Sequence, residues 1–136
     1  MKSRWFLATV LVLIGSTAAP VLAHHSLVSF NSKQPITLRG VLTDIQWRNP
    51  HVWVLMDVKQ PDGKMVNWHI EFSAPNNLNR LGFRPAMLDL KSTYSFEIWP
   101  ANDGSPNATG RMLTFPDGQK FDIHDIWGDF MPQVNK

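Results

Sequence analysis

Hydrophobic and polar residues alternate along much of the chain's middle part, which is typical of half-buried strands. The segment Ile36–Trp47 is rich in branched residues and contains Gly40, where we expect a long strand to bend or bulge. Asn49 and Pro50 then predict a turn. The segment His51–Lys59 is expected to be a second strand, with an apolar face formed by Val52, Val54, Met56 and Val58.

The next segments predict a hairpin. Gln60–Lys64 contains a Pro-Asp-Gly turn, and Met65–Phe72 alternates in the manner of a strand. One face of this strand carries the apolar residues Val66, Trp68, Ile70 and Phe72. The other face carries Asn67, His69 and Glu71, which we expect to be an exposed polar face of the hairpin.

A short helix is predicted from Pro75 to Leu81, because proline suits a first helical turn and Gly82 suits a helix end. Further strands are expected at Thr93–Pro100, Gly110–Pro116 and Lys120–Ile123. Three strands, a short helix and further strands is the element order of the five-stranded OB barrel. We therefore predict an all-β fold, a small OB-like barrel of five or six strands with one short helix.

The first residues are typical of a secretory signal peptide. Lys2 and Arg4 precede an apolar run, and small or aliphatic residues end it at Ala23. We expect residues 1–23 to be removed, so that residues 24–136 form a single OB-like domain with a loose C-terminal tail. The apolar run is about half of the roughly 20 residues that span a bilayer. The sequence thus predicts a periplasmic or secreted protein with no membrane anchor after cleavage.

Charge and cysteine content narrow the function classes. The full chain has 13 basic and 11 acidic residues, and cleavage would remove Lys2 and Arg4, leaving 11 of each. The remaining basic residues form no run, so we expect no nucleic-acid partner. The chain has no cysteine, which excludes disulfides, thiolate metal sites, a cysteine nucleophile and a lipidated cysteine.

Several motifs together resemble a known family. They are the start "AHHSLVSF", the turn "RNPH" and the segment "NWHIEFSAPNNLNRLGF". The chain is similar, from His24 to about Phe121, to a family of small exported bacterial proteins classed as a domain of unknown function. The resemblance implies the fold and the exported location, and it implies no activity. It supports no role for His69, where the family pattern varies, or for His124, which lies past the family's usual end.

Cleavage after Ala23 would give His24 a free α-amino group. The amino nitrogen and the imidazole Nδ1 of one residue can chelate one metal ion, and a further imidazole can extend the set. Such nitrogen ligation suits Cu(II). His25 or His51 could supply the further nitrogen, and His51 is favoured because adjacent residues in an extended segment point to opposite sides. The sequence therefore indicates a copper site formed by His24 and His51, with His25 as the other candidate.

The alternative for these histidines is structural. A histidine pair at a chain start is more often solvated, and His51 could pack against the strand and hydrogen-bond a carbonyl. His124 lies near Asp122 and Asp125 in a polar stretch, where a solvated loop is the expected outcome.

Two of the tryptophans offer a different kind of site. Trp47 and Trp53 flank the "RNPH" turn and could stack a sugar or a small aromatic ligand, because strands 2 and 3 commonly form the binding face of OB folds. Packing in the barrel explains most of the other tryptophans.

The residues favour a binding role over catalysis, since no nucleophile elbow and no distinct carboxylate pair can be identified. The first hypothesis is a periplasmic binding or accessory protein that binds copper. The alternative is a metal-free module that binds a small molecule, a glycan or a protein partner on the tryptophan-bearing face. A hydrolase or oxidase is a third class, because copper bound through His24 could be redox active.

Overall fold

The protein is described by a computed structural model over residues 29–123. Its elements in chain order are β1 (Ile36–Gln46), β2 (Trp53–Lys59), β3 (Met65–Glu71), α1 (Pro75–Arg80), a 3₁₀ helix (Pro85–Met87), β4 (Thr93–Pro100), β5 (Asn107–Thr114) and β6 (Lys120–Asp122). The predicted signal peptide and C-terminal tail lie outside the described residues, as do His24, His25 and His124.

Five of the strands close into a barrel. β1 pairs antiparallel with β2 and with β4, β2 pairs with β3, and β4 pairs with β5. A short parallel pairing of β3 with β5, from His69 opposite Asn107 to Glu71 opposite Thr109, joins the two ends of the sheet. β6 is an extra strand that forms a hairpin with β5. The predicted all-β OB-like barrel with a short helix after the third strand is confirmed.

The long first strand contains a bulge, but not at the glycine. The register between β1 and β2 shifts between Leu42 and Asp44, so the extra residue is Thr43. Gly40 instead allows the two strands to approach closely, because a Cβ at this position would lie 2.3 Å from the carbonyl oxygen of Asp57. The glycine therefore provides the space that the close approach of the two strands requires.

The barrel interior is filled by the alternating apolar residues of the strands. The predicted inner face of β2 is confirmed, since Val54 and Met56 have no exposed surface. Leu78 is the buried residue of α1, and Phe83 follows the helix into an aromatic cluster. The ring centroid of Phe83 lies 4.9 Å from that of Phe121 and 6.0 Å from that of Phe72. α1 and the segment after it therefore complete the core.

β5 starts earlier than predicted. The strand begins at Asn107, three residues before Gly110, although Asn107–Thr109 has the composition of a turn. Pairing with β3 determines the conformation of these residues, so tertiary contacts override their local preference. Within residues 29–123, no helix is long and apolar enough to cross a membrane.

Candidate functional site

A histidine and a glutamate are joined where β2 begins and β3 ends. Trp53 and Glu71 are cross-strand partners, and His51 lies two residues before Trp53. The Nδ1 atom of His51 contacts the Oε1 atom of Glu71. The His51 side chain is 24% exposed, whereas that of Glu71 is 5% exposed. The pair therefore consists of a buried carboxylate and an imidazole at the surface.

The burial of Glu71 corrects one prediction. Asn67 and His69 are exposed, as expected of the outer face of the hairpin, but Glu71 on the same face is buried. From His69 to Glu71, β3 has β2 on one side and β5 on the other, and His69 remains exposed there. Glu71 also contacts His51, and this contact together with the strand neighbours removes the carboxylate from solvent.

The contact orients the His51 ring. A carboxylate that faces Nδ1 fixes the position of the ring, and Nε2 lies on the opposite edge of the imidazole. Carboxylates orient many metal-binding histidines in this way, and they increase the basicity of the ligating nitrogen. His51 and Glu71 thus have the arrangement of a ligand and its supporting group.

The beginning of the described chain is attached to the turn between β4 and β5. Phe30 forms an isolated β-bridge with Ala101. The backbone N–H of Asn102 donates to the carbonyl oxygen of Ser29 at 2.9 Å, and the N–H of Asn31 donates to the carbonyl oxygen of Pro100 at 2.9 Å. Residues 29–31 are therefore held at one end of the barrel.

The same end of the barrel contains a cleft, here named the mouth cleft. Its volume is about 470 Å³, and its walls are Ser29, Phe30, Trp53, Glu71, Ala101, Asn102, Asp103, Ser105 and Asn107. Because Ser29 and Glu71 both line it, residues 29–31 lie at the same end of the barrel as the His51–Glu71 pair.

A second cleft lies on the other side of Trp53 and is named the outer cleft. It measures about 280 Å³ and is lined by Gln46, Arg48, Trp53, Leu55, His69 and Asn107. Trp53 and Asn107 line both clefts, so the Trp53 side chain stands between them. The two clefts differ in charge, since Arg48 and His69 line only the outer one.

The two tryptophans proposed for ligand stacking have different surroundings. Trp47 packs against the core, with its ring stacked on Phe83 at a centroid distance of 6.1 Å and an interplanar angle of 28°. Trp53 is half-buried and lines both clefts. Trp47 is half-buried as well, and of these two tryptophans Trp53 is the one that lines the two clefts.

Asp103 in the β4–β5 turn is an anionic part of the mouth cleft. The hydroxyl of Ser105 donates to Asp103 Oδ1 at 2.6 Å, and the backbone N–H of Ser105 donates to the same atom at 2.9 Å. Both hydrogen bonds lower the pKa of Asp103 below its ordinary value of 3.8, and the bond from the hydroxyl has the larger effect. The carboxylate is therefore ionised at neutral pH.

Sequence reasoning missed Asp103, Ser105 and Asn107 as site residues. They belong to a stretch whose composition indicates only a turn, and the β3–β5 pairing is what brings Asn107 opposite His69. The Asp-Gly-Ser order at the turn is the one local signal that could have indicated a fixed carboxylate.

The described residues do not form a complete metal site by themselves. Between Ser29 and Ile123, no three histidine, aspartate or glutamate side chains cluster in a way that could hold a metal ion. His51 and Glu71 would need a ligand from outside this range, which is what the prediction with His24 requires.

Comparison with known proteins identifies one family. DUF6152, a family of unknown function, matches residues 11–111, which is more than half of the chain. No curated protein and no solved structure matches the chain.

Proposed function

The chain belongs to this family of unknown function, and we propose from its barrel mouth that it is a periplasmic binding or accessory protein that holds Cu(II) between His24 and His51. The observation that carries the proposal is the contact between His51 Nδ1 and the buried carboxylate of Glu71. It supports a ligating role for His51, because a carboxylate beside one ring nitrogen orients many metal-binding histidines.

The attachment of the N-terminal segment supports the participation of His24. Ser29 and Glu71 both line the mouth cleft. Ser29 is five positions after His24, and a fully extended chain of five residues spans at most about 17 Å. We infer that a mature N-terminus at His24 reaches His51, because His51 contacts Glu71 and Glu71 lines the same cleft as Ser29.

The proposed ligands are the α-amino nitrogen and Nδ1 of His24 and the Nε2 of His51. Three nitrogens favour Cu(II), which heads the affinity order of divalent first-row metals. The negative charge of Glu71 behind His51 favours a bound cation. His25 is the alternative donor if His51 does not take part.

The experiment compares the chain beginning at His24 with the same chain carrying an acetyl group on its α-amino nitrogen. Acetylation removes the amino nitrogen as a metal donor and leaves every side chain in place. Cu(II) titration followed by visible absorption and calorimetry should show at least tenfold weaker binding for the acetylated chain. Equal affinity of the two chains would overturn the proposal.

Variants test the contribution of the barrel. His51→Ala should weaken Cu(II) binding, and Glu71→Gln should weaken it by about 10- to 100-fold, the range for groups that orient metal ligands. His69→Ala is the matched control, since His69 is an exposed histidine of the same sheet, and it should leave the affinity unchanged. Unchanged binding by His51→Ala would show that His51 is not a ligand.

A metal-free binding module is the second candidate function. It is favoured by the position of Trp53 between two clefts, because an aromatic side chain on the outer face of β2 suits contact with a small molecule, a glycan or a protein side chain. This function requires neither cleavage nor metal, and its ligand would contact Trp53.

A further inference from the structure

The mouth cleft combines aromatic rings with carboxylates, and within residues 29–123 no lysine or arginine lines it. Phe30 and Trp53 supply the rings, and Glu71 and Asp103 supply the carboxylates. From this combination we propose that the mouth cleft binds a small organic cation, a quaternary ammonium or a protonated amine. The inference rests on the second candidate function and does not depend on copper.

The aromatic rings provide the first contribution. A cation over the face of an aromatic ring is attracted by the ring quadrupole, and tryptophan is the strongest partner. Trp53 is held by its place in β2, and Phe30 is held by the β-bridge to Ala101. Both rings therefore belong to residues whose backbone is already paired, so binding does not require this backbone to become ordered.

The carboxylates provide the second contribution, and they differ from each other. Glu71 is 4% exposed, and its carboxylate is already in contact with the His51 ring. Asp103 faces solvent, and its hydrogen bonds from Ser105 keep its side chain in one orientation. Asp103 is thus the carboxylate that should decide between a cation and a neutral molecule of the same shape.

The outer cleft limits where a cation can bind. Arg48 and His69 line that cleft on the far side of Trp53, and Arg48 would repel a positively charged group. The volume of the mouth cleft, about 470 Å³, lies within the usual range for small-molecule sites. An organic cation should therefore occupy the mouth cleft alone, with Asn107 beside it to contact a polar tail.

The experiment uses the chain from His24 to Lys136 with metal removed by a chelator. Choline is titrated by calorimetry and by tryptophan fluorescence, and 3,3-dimethylbutan-1-ol, its uncharged isostere, is titrated in parallel. We expect saturable choline binding and at least tenfold weaker binding of the alcohol. Equal binding of the two would overturn the cation proposal and would leave the second candidate function intact, with the cleft as an apolar site.

Variants locate the site. Asp103→Asn should weaken choline binding at least fivefold, and Trp53→Leu should weaken it more than Trp53→Phe, which retains a ring. Asp62→Asn is the matched control, because Asp62 is an exposed carboxylate in the β2–β3 turn that contacts Lys64. Choline affinity that is the same in Asp103→Asn as in the unchanged chain would overturn the proposal, as would an absence of choline binding. Circular dichroism of each variant confirms that it is folded.

Discussion

The Cα of Gly40 in β1 lies so close to Asp57 in β2 that a Cβ on the glycine would stand 2.3 Å from the Asp57 carbonyl oxygen. The same Cβ would lie 2.9 Å from the terminal methyl of Met56. The methyl could move, but the carbonyl belongs to a paired strand and is fixed. Position 40 therefore accepts no side chain without separating two strands of the barrel.

Gly40→Ala should lower the free energy of unfolding by about 3 kcal/mol, at the upper end of the usual cost of overpacking. Urea denaturation measures the change. Val41→Ala is a control in the same strand, since Val41 is 37% exposed, and it should cost less than about 1 kcal/mol. Equal stability of Gly40→Ala and the unchanged chain would show that β1 and β2 can separate freely.

Leu78 should be the residue that holds α1 on the barrel. It has no exposed surface, whereas Leu81, just after the helix, is 40% exposed. Leu78→Ala should cost about 2–5 kcal/mol of unfolding free energy, because it leaves a cavity under the helix. Leu81→Ala removes the same atoms from a more exposed site and should cost less than half as much. Similar costs in urea denaturation would contradict the packing of α1.

Trp68 should tolerate replacement by phenylalanine. Its indole Nε1 is buried and has no hydrogen-bond partner among residues 29–123. An unsatisfied buried donor costs about 1–3 kcal/mol, so its removal offsets much of the packing lost with the smaller ring. Thermal or urea unfolding should place Trp68→Phe within about 1 kcal/mol of the unchanged chain, and Trp68→Ala about 3 kcal/mol below it. Comparable losses in the two variants would mean that Nε1 has a partner.

Removing the Ser105 hydroxyl should raise the pKa of Asp103. Ser105→Ala loses the largest cause of the lowering and keeps the backbone N–H, so the pKa should move toward 3.8 without reaching it. An NMR titration of the Asp103 carboxyl carbon measures this change. Ser92→Ala is the control, since its hydroxyl donates to Asp89 elsewhere, and it should leave Asp103 unchanged.

The lowered pKa of Asp103 also makes the stability of the fold depend on pH. A carboxyl with a depressed pKa in the folded state stabilises the fold above its ordinary pKa, and this contribution is lost as the pH falls through the folded value. The unchanged chain should therefore lose more stability below pH 3.8 than Ser105→Ala does. A steeper acid loss in Ser105→Ala would contradict the assigned cause.

The sequence could predict the barrel because its strands carry their pattern locally. Alternation in β2 and β3 identified their inner faces, and Pro75 and Gly82 marked the helix. The start of β5 and the burial of Glu71 could not be predicted, since both depend on the pairing of β3 with β5. That pairing joins residues about 38 positions apart, for which a local pattern holds no information.

The site could be predicted only in part for the same reason. His51 and Trp53 were identified from the turn and from the strand that carries them. The mouth cleft is also lined by Asp103, which the fold brings to the same cleft as Trp53 although the two are far apart in the sequence. Trp47 and Trp53 have equivalent positions beside the turn in the sequence, but Trp47, just after β1, stacks on Phe83, whereas Trp53 begins β2 and lines both clefts.

The short parallel pairing of β3 with β5, here called the seam, determines when the barrel can close. It consists of three residue pairs, supported by the Thr109 hydroxyl, which donates to the Glu71 carbonyl oxygen at 3.4 Å. During synthesis the first three strands are made before β5. They can pair with one another early, but they cannot enclose the core until β5 is available. Glu71 and Asn107 lie on opposite sides of the seam, so the mouth cleft does not exist in any partly assembled form. A ligand of this cleft would bind only the finished barrel and would shift the folding equilibrium toward closure.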